Sequence, residues 1–483
     1  MKVGVDISLM PARPARGGDR PALWRDRGCR QGGPLSAAKG GASLVSTQSG
    51  ELFSGPLAVV GTSSETPVAA AEIAQAQQPP GLPVASQANN YGEKVIHAMS
   101  TATASPLSVD ALRERFPALS APTVRLDGPS GSQTPQQVID AIVGYLSGSN
   151  ANLGGAFGAS LVSSELFEQA RTRTAAFFGT DDAGEVGFAL NASMANAALA
   201  YAAAATLSPR EEIVVTALDH DANTDPWRQA AARYDLVVRT VGLDAEGRLD
   251  KAELQAAVGE RTAIVAFPYA NNATGTMVDV AEAAKIAHAA GAIAWADPTH
   301  YAPHGPINVR ACGVDVAFCS AYKFFGPHLG LFYARRDLLA AWTGGGDATG
   351  LERGTPPLES LAGLVAAFDY LEEVGWELIT GHERTLAERF LVAIPAPWRL
   401  HGVPKPDGRT ATFALTLPGH SPRDLAETLA QRGIAVGAGD FHSPATMKAM
   451  RLDDGAIRMG FLHYNTAADV DSALSALAAI AAA

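Results

Sequence analysis

The amino-acid sequence has few cysteines, a modest share of charged side chains and no long apolar run. Its three cysteines, Cys29, Cys312 and Cys319, show no metal-binding spacing and no disulfide framework. No apolar run reaches the roughly 18 residues that a membrane helix needs. The net charge of -12 argues against nucleic acid as the main partner. These absences favour a globular protein of the reducing cytoplasm that binds neither a membrane nor nucleic acid.

The first 104 residues lack hydrophobic periodicity and are rich in Gly, Pro, Ala, Ser and Gln. Such a segment cannot bury enough apolar surface to offset its ordering entropy, so we predict a disordered, low-complexity extension. A targeting peptide is the alternative, although no clear apolar segment follows the basic residues. A second hypothesis is that the true first residue is Met99.

Short apolar segments alternate with helical segments between residues 105 and 375, and this alternation indicates a fold class. The candidate strands span residues 185–190, 212–217, 236–241, 262–267, 292–296, 314–318 and 331–334. Short, wholly apolar strands joined by helices predict an α/β domain with a mostly parallel, doubly wound sheet. Residues 376–483 read as a smaller α+β domain. Ser108, Asp250 and Ser421 are predicted to cap helices, with Glu253 completing a capping box at Asp250.

An acid and a lysine follow two neighbouring candidate strands in the segment 292–330. Asp297 ends the first strand, and Lys323 comes shortly after the second. Pyridoxal phosphate requires such a pair, since a lysine amine holds the cofactor and a carboxylate keeps its pyridine nitrogen protonated. The open alternative is that Asp297 caps a turn and that Lys323 is a solvated surface lysine.

A second candidate element is the run Asn191-Ala192-Ser193-Met194, which follows a strand and opens a helix. The N–H groups and dipole of a first helical turn bind phosphate well. An ordinary helix cap has the same appearance, so this run alone does not decide between the two.

From about residue 107 to residue 483, these motifs occur in an order that resembles the class V branch of the fold-type I pyridoxal-phosphate enzymes. Within that branch the sequence is similar to cysteine desulfurases and selenocysteine lyases. The resemblance implies a pyridoxal 5'-phosphate cofactor, an α-amino acid substrate and a homodimer with its active site at the interface. It also implies that the helix near residues 107–119 packs against the smaller domain.

The resemblance also assigns roles to individual residues. Lys323 and His220 would be catalytic, with His220 stacked on the pyridine ring, and Arg458 would bind the substrate α-carboxylate. The residues implied in cofactor binding are Ala192, Ser193, Met194, His220, Asn272, Asp297, His300, Ser320, Lys323 and Thr355, the last reaching the neighbouring subunit's cofactor.

Three positions depart from the family pattern, which usually has Gly-Thr-Thr near Ser193, glutamine at His300 and histidine at Tyr322. Ordinary structural roles remain open for His220, Asn272 and Arg458, as a core histidine, a turn residue and the partner of a helix end.

The most consequential departure concerns the reaction. Desulfurases use a cysteine on a mobile loop, but the matching loop, residues 437–444, has none, and no cysteine follows Cys319. Cys319 itself is expected in the core. A persulfide-carrying mechanism is therefore not expected. Elimination, epimerisation or transamination would still begin when Lys323 removes the α-proton from the external aldimine. The first interpretation is a pyridoxal-phosphate enzyme that resembles cysteine desulfurases and has a lyase or desulfurase-like outcome. The alternatives are a class V aminotransferase or epimerase and, from another class, a non-catalytic binding protein.

Overall fold

The computed structural model describes residues 108–208 and 211–483. The predictions for residues 1–104, including the alternative start at Met99, lie outside the described residues. Within these ranges no helix is long and apolar enough to cross a membrane. No group of three or more His, Cys, Asp or Glu side chains could hold a metal ion in the same part of the chain.

The described chain forms thirteen strands and fourteen α-helices. The strands are β1 Val124–Arg125, β2 Val186–Ala189, β3 Glu212–Thr216, β4 Val237–Val241, β5 Thr262–Pro268, β6 Ile293–Asp297, β7 Val316–Ser320, β8 Gly330–Ala334, β9 Arg399–His401, β10 Thr412–Thr416, β11 Ile434–Ala435, β12 Gly437–Gly439 and β13 Ala456–Gly460. The helices are α1 Val109–Glu114, α2 Gln136–Gly148, α3 Gly158–Phe178, α4 Ala192–Ala204, α5 Asp221–Tyr234, α6 Lys251–Ala257, α7 Val280–Ala289, α8 Val309–Cys312, α9 Arg336–Thr343, α10 Leu358–Val374, α11 Trp376–Leu391, α12 Pro422–Gln431, α13 Pro444–Ala449 and α14 Ala467–Ala481.

Seven strands form the main sheet in the order β2-β8-β7-β6-β5-β3-β4. All neighbours from β7 to β4 pair in parallel, whereas β8 is antiparallel to both β7 and β2. The connection from β7 to β8 is too short for a crossover helix, so these two strands must run in opposite directions. The predicted α/β fold with a mostly parallel sheet is confirmed. The carboxyl ends of β3, β5, β6 and β7 therefore lie along one edge.

A second sheet, in the order β12-β13-β10-β9, is antiparallel and carries the C-terminal part of the chain. Its core contains Phe390 of α11, Phe413 of β10 and Leu477 of α14. The parallel pair β1 and β11 lies beside it. This architecture has the α+β character expected for the C-terminal residues, while the domain boundary after residue 375 stays a prediction.

The segment before the main sheet contacts α10 and the C-terminal part of the chain. Arg113 of α1 donates hydrogen bonds to a side-chain oxygen of Asp469 and to the carbonyl of Tyr464, each at 3.1 Å. Phe116 packs against Tyr370 and Tyr464, with ring centroids 5.5 Å and 4.9 Å away.

The side chain of Arg409 joins the second sheet to the loop after β5. It is buried, and its guanidinium donates hydrogen bonds to the carbonyl groups of Thr274, Val403 and Thr412. Its charged group also lies 4.3 Å from the ring centroid of Phe413. Because these carbonyls are buried, each needs the donor that Arg409 supplies.

The predicted helix caps are largely confirmed. The side chains of Ser108, Asp250 and Ser421 accept hydrogen bonds from first-turn N–H groups. The capping box at Asp250 was wrong, because Glu253 instead accepts a hydrogen bond from the N–H of Gly242.

Two helices begin at or directly after a glycine. Helix α3 begins at Gly158, and α11 begins at Trp376, directly after Gly375. Gly375 has a positive φ of 78°, so the chain turns there without a longer loop.

Candidate active site

A cavity opens at the carboxyl edge of the main sheet, where Asp297 and Lys323 meet. The predicted site residues that line it are Ala192, Ser193, His220, Asn272, Asp297, His300, Ser320 and Lys323. They come from the ends of five strands that are far apart in the sequence. The sequence-based grouping of these residues therefore corresponds to one place in the fold, as expected for ligand sites of open α/β sheets.

Lys323 lies in a single 3₁₀ turn, Ala321–Lys323, that follows β7. Its Nζ donates hydrogen bonds to the carbonyl oxygens of Pro129 at 2.7 Å and Ser130 at 2.9 Å. Burial, followed by the positive charge of Arg458, lowers the pKa of Lys323 to about 7. A large fraction of this amine is therefore neutral at neutral pH, and a neutral amine is the form that acts as a nucleophile or base.

Asp297 is the last residue of β6, and only 6% of its surface is exposed. Its Oδ1 accepts a hydrogen bond from the N–H of Thr299 at 2.9 Å. Burial raises the pKa of Asp297 to about 6, against the opposing effects of Thr299 and the Lys323 charge. A buried carboxylate of this kind is stabilised by a cationic partner, so the position suits a protonated ring nitrogen.

Helix α4 directs its N-terminus at the same cavity. Asn191 caps the helix by accepting the N–H of Met194 at 2.9 Å, and Ser320 Oγ accepts the N–H of Ala192 at 2.8 Å. Among the described residues, no acceptor engages the remaining first-turn N–H, that of Ser193. This N–H and the two serine hydroxyl groups give an anion-binding corner at the positive end of the helix dipole.

The helix N-terminus packs tightly against strand β8. A Cβ atom added to Gly330 would lie 2.4 Å from the backbone carbonyl carbon of Asn191. Only glycine at position 330 therefore allows the cap residue and the strand to approach this closely.

His220 caps α5 through its side chain, which fixes its tautomer. Its Nδ1 accepts the N–H of Ala222 at 2.9 Å, so the ring proton of the neutral form must be on Nε2. Burial, followed by the charge of Lys323, lowers the pKa of His220 to about 4. At neutral pH His220 is a neutral hydrogen-bond donor.

Asp219, which the sequence analysis did not single out, holds this turn in place. Its carboxylate accepts hydrogen bonds from the Thr216 hydroxyl at 2.6 Å and from the Asn223 amide at 2.7 Å. Burial raises the pKa of Asp219 to about 7. The signal available in the sequence was its position directly after a buried strand and before His220.

His300 is buried, and its Nε2 lies 3.4 Å from Thr410 Oγ1. Its ring lies edge-on to His304, with centroids 5.4 Å apart, and His304 Nδ1 is 2.6 Å from Glu383 Oε2. Burial, followed by the charge of His304, lowers the pKa of His300 well below its ordinary value. His300 therefore faces the cavity as a neutral imidazole.

Arg458 of β13 links the second sheet to the cavity. Its guanidinium donates to the carbonyl of Asn272 at 2.7 Å and to Ser130 Oγ at 2.8 Å. The ring of Phe441 lies 4.2 Å from the same group. Burial lowers the pKa of Arg458 to about 10, so it remains a cation at neutral pH. Ser130 lies in the loop that follows β1.

Asn272 lines the cavity, but both ends of its side-chain amide contact the turn after β12. Nδ2 donates to the carbonyl of Phe441 at 2.7 Å, and Oδ1 accepts the hydroxyl of Ser443 at 2.6 Å. Neither of these two contacts was predicted from the sequence. The role of Asn272 toward a cofactor stays a prediction.

Two predicted cofactor residues do not line this cavity. The side chain of Met194 is 54% exposed, and Thr355 is exposed in the segment before α10. Thr355 was predicted to serve a neighbouring subunit, and that role also stays a prediction.

Two further predictions concern aromatic and thiol groups beside Lys323. Tyr322 lines the cavity and stacks on His328, with ring centroids 4.6 Å apart. Cys319 is fully buried in β7, which confirms the expected core position. Burial raises the pKa of the Cys319 thiol well above its ordinary value, so it is poorly suited to attack a substrate.

Comparison with known proteins identifies relatives along most of the chain. Residues 124–473 match the family model described as aminotransferase class-V. A probable cysteine desulfurase of Streptomyces coelicolor is 31% identical over 406 residues, covering 77% of this chain and 96% of that protein. A cysteine desulfurase of Haloferax volcanii is 30% identical over 413 residues, with the same two shares covered.

Solved structures show the same relationship. The apo structure of a cysteine desulfurase from Thermococcus onnurineus NA1 has a TM-score of 0.73 and 25% identity, covering 77% of this chain and 97% of that chain. The cysteine desulfurase CsdA from Escherichia coli, in its S-sulfonic acid form, has a TM-score of 0.71 and 26% identity, covering 78% and 98%. This chain therefore belongs to the class-V aminotransferase family of pyridoxal-phosphate-dependent enzymes and is similar to the cysteine desulfurases within it.

Proposed function

We propose that this protein binds pyridoxal 5'-phosphate through Lys323 and acts on the α-carbon of an α-amino acid. The observation that carries the proposal is one cavity in which a buried lysine amine, held by carbonyl groups, lies with a buried aspartate and an open helix N-terminus. Each of these groups matches a different part of the cofactor: its aldehyde, its pyridine nitrogen and its phosphate.

The residues present fit the cofactor chemically. Ser193 and Ser320 would hold the phosphate, Asp297 the ring nitrogen, and His220 would lie against the ring. When bound, the cofactor accepts the electron pair released at the substrate α-carbon. The chain's own groups would do the rest: Lys323 moves the α-proton, and Arg458 binds the α-carboxylate with its remaining N–H groups.

The tautomer of His220 limits its part in proton transfer. Nδ1 already accepts a backbone N–H, so only Nε2 can interact with a substrate, and Nε2 can act only as a hydrogen-bond donor. We therefore assign proton removal to Lys323 and hydrogen-bond donation to His220.

The positions of the thiols limit which reaction outcomes are possible. The turn over residues 437–444 contains no cysteine, Cys319 is buried in β7 and Cys312 ends α8. We propose that the reaction uses no thiol of this chain as the sulfur acceptor. Elimination, epimerisation and transamination all remain compatible with the groups in the cavity.

We also propose a homodimer that covers this side of the molecule. Most exposed large apolar side chains of the described chain lie between residues 139 and 194. Ile139, Val143 and Leu146 form one stripe on α2, because they are spaced by four and three residues. Leu190 and Met194 flank the N-terminus of α4 beside the cavity. A second copy bound here would lie close to the phosphate corner. This closeness is required if Thr355 of each subunit is to reach the cofactor of its neighbour.

Replacing Lys323 with alanine is expected to abolish covalent cofactor binding. Wild-type protein mixed with pyridoxal phosphate should develop a visible absorption band, and borohydride should fix a pyridoxyl label on Lys323, read by peptide mass spectrometry. Lys251→Ala, which removes an exposed lysine paired with Glu282, is the matched control and should label normally. A label that persists in Lys323→Ala would contradict the proposal.

The lowered pKa of Lys323 predicts a pH dependence that can be measured without cofactor. The reactive amine is the neutral form, so trace acetylation of Lys323 should rise as pH passes about 7. An ordinary exposed lysine titrates near about 10.4, and Nα-acetyl-lysine in the same tube provides that reference. Arg458→Met removes a positive charge that disfavours the ammonium, so the midpoint should move upward. A wild-type midpoint above about 9 would exclude the proposed environment.

Alkylation tests the proposal that no thiol takes part. Protein treated with iodoacetamide and freed of reagent should retain α-proton exchange of L-alanine and any sulfide release from L-cysteine, within about twofold of untreated protein. The expectation rests on the buried, high-pKa thiol of Cys319. A loss of most sulfide release that a Cys312→Ser variant prevents would show that a thiol of this chain takes part.

The dimer is tested by charging the apolar stripe. Wild-type protein should show about twice 50.0 kDa by light scattering. The double substitution Val143→Glu and Leu146→Glu should give the monomer mass and weaken cofactor retention, because buried unpaired carboxylates are costly. Val392→Glu alters an exposed apolar residue elsewhere and should leave the mass unchanged. Wild-type protein that is monomeric at all concentrations would refute the dimer.

A further inference from the structure

The turn that follows β12 has an unusual backbone. Phe441 and His442 are consecutive residues with positive φ values of 58° and 56°, and neither is glycine. Non-glycine residues in the left-handed region are uncommon, and a pair of them persists only where the surroundings hold it. Such strain concentrates at functional sites, and here neighbouring residues hold the turn in its conformation.

Three residues outside the turn, Asn272, Asp221 and Arg458, hold it beside the cavity, and one hydrogen bond forms within it. Asn272 binds it through the Phe441 carbonyl and the Ser443 hydroxyl, as described above. The backbone N–H of Asp221, in the first turn of α5, donates to the carbonyl of His442 at 2.7 Å. The N–H of His442 donates in turn to Asp440 Oδ1 at 3.0 Å. The contact of Phe441 with the Arg458 guanidinium completes the set.

These contacts bring His442 beside the cavity. Its ring centroid is 5.4 Å from that of His220, which lines the cavity wall. His442 is itself exposed, whereas His220 is half-buried. The imidazole of His442 is therefore an accessible group beside the cavity wall.

We propose that residues 440–443 form a fixed cover over the amino-acid site and that His442 binds the substrate's side chain. This inference rests on the proposed function and names its substrate class, which is an amino acid whose side chain carries a hydrogen-bond acceptor. His442 determines specificity, and Asn272 and Ser443 position it.

The hydrogen-bonding character of the surroundings supports an acceptor side chain. His220 presents its Nε2–H, and His442 adds an imidazole beside it. An apolar side chain would leave such donors unpaired when it displaced water. A site built to donate hydrogen bonds rejects ligands that lack an acceptor more strongly than an apolar pocket rejects a polar isostere.

The test compares three amino acids of similar shape. L-aspartate and L-asparagine carry acceptors, and L-leucine has the same branching without one. Exchange of the α-proton with deuterated water, followed by NMR on the cofactor-loaded protein, gives a rate for each. Wild-type protein should exchange aspartate and asparagine at least tenfold faster than leucine, about the discrimination of one strong hydrogen bond.

Two variants isolate the His442 side chain from its backbone. Glycine and asparagine both tolerate the left-handed conformation, so His442→Gly and His442→Asn keep the turn possible. His442→Gly should lower the ratio of aspartate to leucine exchange about tenfold, whereas His442→Asn should retain part of the preference through its amide donor. The ratio is the readout, because it cancels any general loss of rate.

The possible failures can be told apart. If L-alanine and all three test amino acids fail to exchange, or exchange without Lys323, the proposed function fails and this inference fails with it. If exchange depends on Lys323 but wild-type protein shows no preference, or His442→Gly leaves the ratio unchanged, the inference about His442 is overturned while the proposed function stands.

Discussion

The cavity depends on one buried cation from the second sheet. Arg458 joins the loop at Ser130, the loop at Asn272 and the ring of Phe441, which belong to three separate segments of the chain. A buried guanidinium is costly unless its N–H groups are satisfied, so each partner is needed for the arginine to remain there. Arg409 links the same two parts of the fold through carbonyl groups. The two arginines thus fix the C-terminal sheet over the edge where the main-sheet strands end.

The same arrangement determines the electrostatics of the site. Within the described part of the chain, the hydrogen-bond partners of Lys323 are both carbonyl oxygens, and Arg458 is the nearby charge that most disfavours its ammonium form. Asp297 is buried at the end of the neighbouring strand, and the loss of water raises the pKa of its carboxyl group to about 6. The acid and the base are therefore both tuned toward the same pH range by burial, from opposite directions.

Much of this could be read from the sequence, because strand ends are a local signal. Asp297 and Lys323 follow apolar runs that are recognisable by composition alone, and parallel pairing then brings them together. The reversal of β8 was not recognised, since strand direction depends on the length of the connection and on the pairing partner. The contact of Asn272 with Ser443 was missed for another reason, because the two residues are 171 positions apart and only the folded chain brings them together. Asp219 was missed although its partners Thr216 and Asn223 are only three and four positions away, because an aspartate after a strand looks like an ordinary turn residue.

The close approach of strand β8 to helix α4 has a consequence for how such a cavity can evolve. Position 330 is far in the sequence from the helix cap at Asn191, yet the two backbones leave no room for a Cβ atom between them. Any side chain at that position would push the helix N-terminus outward and move the N–H of Ser193 relative to Asp297. The spacing of these two groups of the cavity thus depends on a residue that does not line the cavity. Glycine is therefore the only residue that position 330 can tolerate while the helix N-terminus keeps its present place.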